Sequence, residues 1–117
     1  MATTSIIDIP AVSRIVSGDV GLLRELVHIF KEELPGMTST LVEAFRKGDS
    51  VAAAVAAHRL KGSLSALGAR CCSTAEQLEA SARKNSLASA QKLFVSFQSE
   101  LGQVVPALEE VIAKETL

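Results

Sequence analysis

The stretch LASAQKLFVSFQSELGQVVPALEEV, from Leu87 to Val111, decides the fold class. Its apolar residues Leu87, Ala90, Phe94, Phe97, Leu101, Val104, Leu108 and Val111 recur at alternating steps of three and four. A seam sustained over about three heptads calls for packed partner helices with a left-handed twist, so this segment reads as the longest strut of a helical bundle. Pro106 interrupts the seam, and a bend or fraying near the C-terminus is expected there.

Partner helices follow upstream. From Val20 to about Arg46, Leu22, Leu23, Leu26, Val27, Phe30, Leu34, Met37, Leu41 and Phe45 trace one helical stripe. Pro35 lies inside it, but the stripe keeps its phase, which predicts one kinked helix rather than two short ones. A third helix is expected from about Ser50 to Leu67, with Ala53, Ala56, Ala57, Leu60, Leu64 and Leu67 on one face and Gly68 ending it. A shorter one, about Ser73 to Lys84, offers Ala75, Leu78 and Ala82 before an Asn85-Ser86 turn. Gly18-Asp19 and Gly48-Asp49 each pair a helix-ending glycine with an N-capping aspartate. Asp8 and Pro10 mark the start of a short lead helix through Ile9, Val12 and Val16. The expected architecture is all-α: an up-down-up-down antiparallel four-helix bundle with a short N-terminal lead helix.

Length and composition agree with one such unit. The 117 residues bury roughly two thirds of their unfolded surface and leave no room for a second core, so residues 1–117 form a single domain. Hydrophobic residues make up 48% but aromatics only 3%, which suits helices packed through aliphatic side chains. The net charge is −1 and no Lys/Arg run exceeds two residues, so there is no electrostatic footprint for nucleic acid or an anionic membrane. The uncharged stretch Val51 to Ala57 is far shorter than the roughly 20 residues of a membrane span, and the N-terminus lacks signal-peptide features. A cytoplasmic protein is expected. Cys71 and Cys72 are adjacent, with Cα atoms about 3.8 Å apart, too close for an ordinary disulfide, and they read as structural reduced thiols.

On the third helix, His58 lies about 160° from Leu60 and points away from the core stripe. Its face carries Ala54 and Val55 one turn before it, Lys61 and Gly62 one turn after, then Ser65 and Ala69. Solvated helix faces usually fill with long charged side chains, and a mid-helix glycine costs about 1 kcal/mol relative to alanine. Two readings of this clearing stand on spacing alone. In one, something approaches His58 closely, the neutral imidazole acts as a nucleophile, and Lys61 neutralises a bound phosphoryl group. In the other, His58 is an ordinary surface histidine and Gly62 a packing concession to a neighbouring helix. His28, among Arg24, Lys31 and Glu32, reads as solvated surface. Gln77 and Glu79 on the fourth helix could hydrogen-bond toward the third or equally well be plain helix surface. The chain has no P-loop, no Gly-rich nucleotide fingerprint and no carboxylate cluster for Mg²⁺ on this face.

The string His58-Arg59-Leu60-Lys61-Gly62-Ser63, continuing to Leu67-Gly68-Ala69, closely resembles the signature of histidine-containing phosphotransfer (HPt) domains, H-x-L-K-G-S followed by L-G-A. Gly18-Asp19, Phe30 to Pro35, Gly48-Asp49 and Ala75 to Glu79 also look like family features. The resemblance implies that His58 is the phosphoacceptor, Lys61 the phosphate-supporting lysine and Gly62 the small residue that admits a docking receiver. It places Ala54, Val55, Arg59, Ser65 and Ala69 in the docking surface, and Gln77 or Glu79 beside the histidine. It further implies a phosphorelay carrier rather than an enzyme, with no cofactor of its own. The partners would be receiver domains of a hybrid sensor histidine kinase and a response regulator, which would bring the Mg²⁺. A freestanding monomer is expected, with a terminal domain of a larger kinase as the alternative. Rival readings are an unphosphorylated adaptor bundle and the phosphoacceptor domain of a chemotaxis-type kinase.

Overall fold

The computed structural model describes residues 3–115 and 117. Among them the chain is all-helical: α1 Thr3–Ile6, α2 Ile9–Val16, α3 Val20–Lys47, α4 Ser50–Ala66, α5 Cys72–Arg83 and α6 Leu87–Lys114. The four longer helices pack in chain order, α3 on α4, α4 on α5 and α5 on α6, and α3 on α6 closes the ring. At 1.5 Å per residue the two 28-residue helices α3 and α6 are each about 42 Å long, matching the 43 Å long dimension of the molecule.

Local chemistry explains the helix starts. Asp8, Asp19 and Asp49 are N-caps whose carboxylates accept from the backbone N–H of Ala11, Leu22 and Ala52 at 3.1, 3.1 and 3.0 Å. Gly48 closes α3 in the left-handed region at φ 69°. The sequence reading missed α1, which forms a single turn against α6. Helix α3 runs unbroken through Pro35, and just past it Thr38 and Thr40 donate their hydroxyls to the carbonyls of Leu34 and Gly36, both at 2.9 Å. Helix α6 also continues through Pro106 to Lys114, so of the expected bend or fraying the fraying does not occur: Val104, Leu108 and Val111 remain buried and hold the seam.

The core comprises Leu23, Val27, Phe30, Met37 and Leu41 of α3, Leu60 and Leu64 of α4, Leu78 of α5, and Phe97, Val104 and Leu108 of α6. The rings of Phe45 and Phe94 meet at 5.5 Å where α3 joins α6. Leu22, expected in the α3 stripe, is 40% exposed, at the edge of the stripe about 100° around the helix from the fully buried Leu23. On α4 the buried residues before Leu60 are Ala53, Ala54, Ala56 and Ala57, and this row of small side chains lets α4 and α5 approach closely.

An N-terminal strap crosses the α4–α5 junction. The backbone N–H of Asp8 donates to the Gly68 carbonyl at 2.8 Å and that of Arg70 to the Ile6 carbonyl at 2.9 Å, while Arg70 Nε donates to the Thr4 carbonyl at 2.7 Å. Gly68 permits this twice over. It adopts φ 65°, and a Cβ there would lie 2.4 Å from Val12 Cγ2.

Candidate functional site

Helix α4 carries His58 outward, with its side chain 63% exposed. Its Nδ1 lies 3.1 Å from Oε2 and 3.2 Å from Oε1 of Glu79 on α5. Glu79 is 8% exposed and is the buried charged side chain among the described residues. It occupies the inward stripe of α5 with Ala75, Leu78 and Ala82, where periodicity asks for an apolar side chain.

Two cations flank that carboxylate on its other sides. Arg83, one turn further along α5, donates Nε and Nη2 to Oε2 at 2.9 and 2.6 Å. Lys61 Nζ stands 4.0 Å from Oε1. Burial pushes the Glu79 carboxyl upward, but the hydrogen bonds from Arg83 and His58 and electrostatic attraction to these two groups outweigh it, and the group sits below the usual carboxylate range.

An ionised carboxylate has no proton to donate, so Nδ1 is the nitrogen that carries hydrogen. In the neutral ring the lone pair therefore sits on Nε2. The arrangement presents a nucleophilic nitrogen to solvent, and a negative charge behind the ring offsets the positive charge the imidazole gains when Nε2 attacks.

The face around His58 is open. A Cβ on Gly62 would meet no atom within 4 Å, which removes the packing explanation for this glycine. Val55, Arg59 and Ser65 are exposed as expected. Val51, 76% exposed, and Val55, 55% exposed, extend an apolar strip toward the N-terminus of α4. Alongside them runs a groove of about 410 Å³ bounded across α5 by Ala82 and Arg83.

Two expected surface residues are corrected. Ala54 and Ala69 are buried at 4% and 1% exposure. At 100° per residue Ala54 and Lys61 fall on the flank of His58 that turns toward α5, and α5 covers the short alanine while the lysine reaches past it. Ala69 lies beyond the helix end, where it pairs with Ile7 beneath the N-terminal strap.

Of the two α5 candidates, Glu79 joins the site, whereas Gln77 is exposed and takes no part in the cluster. Arg83 was missed. An i,i+4 Glu–Arg pair is a readable signal, but its importance depends on Glu79 facing α4, which only the packing reveals. His28 pairs with Glu32 at 2.6 Å on the exposed outer face of α3. Cys71 and Cys72 are free thiols. Among the described residues no group of three or more His, Cys, Asp or Glu could hold a metal ion, and no helix is long and apolar enough to cross a membrane.

The family model of the Hpt domain matches residues 25–113, a span that includes His58, Lys61, Gly62, Glu79 and Arg83. No curated protein and no solved structure matches the chain.

Proposed function

The chain belongs to the Hpt domain family, and on that premise we propose that it is a phosphorelay intermediate that accepts and donates a phosphoryl group on Nε2 of His58. The observation that carries this reading is the pairing of Nδ1 with Glu79 at 3.1 Å, which leaves the other ring nitrogen as an exposed nucleophile. The family implies phosphotransfer in two-component signalling, and the partners proposed here are receiver domains of a hybrid sensor histidine kinase and a response regulator.

In the forward step the Nε2 lone pair attacks the phosphorus of an aspartyl phosphate on the receiver. The N–P bond forms as the P–O bond breaks, and its electron pair returns to the receiver's carboxylate. Mg²⁺ and the acceptor carboxylate belong to the receiver, and this chain supplies the nucleophile and the landing surface. Lys61 stands near enough to swing from Glu79 to the transferred phosphoryl group. Gly62, Val55, Arg59 and Ser65 form the surface over which the receiver settles. The short connections between consecutive packed helices support the up-down-up-down topology, and the chain is read as a cytoplasmic monomer.

Incubation with a phosphorylated receiver should place an acid-labile, base-stable phosphoryl group on the chain. His58→Gln should abolish the label while leaving the helical circular dichroism unchanged. Label retained in that variant removes His58 as the carrier.

A further inference from the structure

Arg83 has no part in the roles assigned above, yet its geometry differs from that of the other short-range ion pairs. His28–Glu32, Arg46–Glu43, Lys47–Glu43 and Lys114–Glu110 each join two side chains that are at least 46% exposed. Arg83, itself 60% exposed, reaches back to a carboxylate whose side chain is 10% exposed. Both of its donors converge on one oxygen, Oε2. Lys61, at 4.0 Å from Oε1, is too distant to hydrogen-bond to the carboxylate and does not share this anchoring.

We propose that Arg83 is a positioning residue for phosphoryl transfer at His58: it anchors Glu79 so that the carboxylate accepts the Nδ1–H and the Nε2 lone pair faces outward. This rests on His58 being the phosphoacceptor. Without the anchor, the Glu79 side chain is free to rotate away from Nδ1 or to take up a proton, since burial disfavours its charge. The imidazole then exchanges into the other tautomer, which aims an N–H where the lone pair is needed. Arg83 acts through Glu79, and the bonds made and broken in the transfer are unchanged.

The test uses Arg83→Gln and Arg83→Lys in the full chain, with two readouts that need no receiver. Nitrogen-15 NMR of the His58 ring reports which nitrogen carries the proton. Phosphoramidate, a small donor that phosphorylates accessible histidines without a docking surface, reports the reactivity of Nε2. Arg83→Gln should raise the Nε2–H tautomer and slow phosphoramidate labelling on the order of tenfold, with circular dichroism unchanged, and Arg83→Lys should recover part of both. A merely structural role moves neither readout in a chain that stays folded. Wild-type tautomer and labelling rate in Arg83→Gln overturn the proposal, and should that variant unfold, the same wild-type values in Arg83→Lys together with Arg83→Met overturn it. If phosphoramidate labels His58 but a phosphorylated receiver does not, the relay reading fails while the role of Arg83 stands.

Discussion

Nδ1 of His58 and Oε2 of Glu79 meet at 3.1 Å although 21 residues and a change of helix separate them. A hydrogen bond to a charged group is worth about 1.5–3 kcal/mol, so Glu79→Gln, which keeps the shape and loses the charge, should slow labelling of His58 roughly ten- to a hundredfold. The rate of phosphoryl uptake from a receiver, compared with wild type, checks this. An unchanged rate would leave the pair a bystander.

The same carboxyl makes stability depend on acid. Its folded-state pKa lies below its ordinary value through the bonds from Arg83 and His58, which overcome burial. A depressed carboxylate stabilises the fold fully above its unfolded value, about 4.3, and that contribution drains away as pH falls through the folded value. The urea midpoint of the wild type should therefore drop from about pH 5 downward. In Glu79→Gln it should drop less over that window, from a lower starting point.

Gly62 should show opposite effects on stability and on docking. Because a Cβ there meets nothing, Gly62→Gln should raise stability by about 0.5–1 kcal/mol through helix propensity, read as a higher urea midpoint. Transfer from a receiver should slow at least several-fold, whereas labelling by phosphoramidate should stay near wild type. Undiminished transfer would exclude a steric role.

Gly68 should respond in the reverse direction. At φ 65° a side chain costs about 1–2 kcal/mol, and the 2.4 Å approach to Val12 Cγ2 adds the strain of overpacking, about 1–3 kcal/mol. Gly68→Ala should thus destabilise the fold by about 2–5 kcal/mol in urea titration. Loss of native hydrogen-exchange protection at Asp8 and Arg70 would locate the damage in the strap.

The adjacent thiols should separate in reactivity. Burial, with Glu100 and Cys72 adding negative charge nearby, pushes the Cys71 thiol up to about 12. It stays protonated and inert at neutral pH. Iodoacetamide should modify Cys72 alone in the native protein and both cysteines in urea, as mass spectrometry of the digested chain would show.

Much of this was legible in the sequence because it is local. The caps at Asp8, Asp19 and Asp49 depend on three or four consecutive residues, and the exposure of His58 follows from its angle to Leu60. What stayed hidden depends on neighbours. Ala54 and Ala69 look exposed on an isolated helix and are covered by α5 and by the strap. Leu22 looks buried and is not, since the apolar stripe of α3 is wider than the contact it makes. Glu79 left a clue, a carboxylate at a core position of α5, but the cluster it organises required the register of α4 against α5.

The strap also sets an order of assembly. Thr4 and Arg70 are joined across 66 residues, whereas the α3–α4, α4–α5 and α5–α6 pairs are each consecutive in the chain. During synthesis at about 5–20 residues per second, the strap emerges seconds before the Gly68 turn whose backbone it bonds. For that interval the bonds of Asp8 and Ile6 to Gly68 and Arg70 cannot form, and Ile7, fully buried in the finished fold, lacks the Ala69 segment that pairs with it.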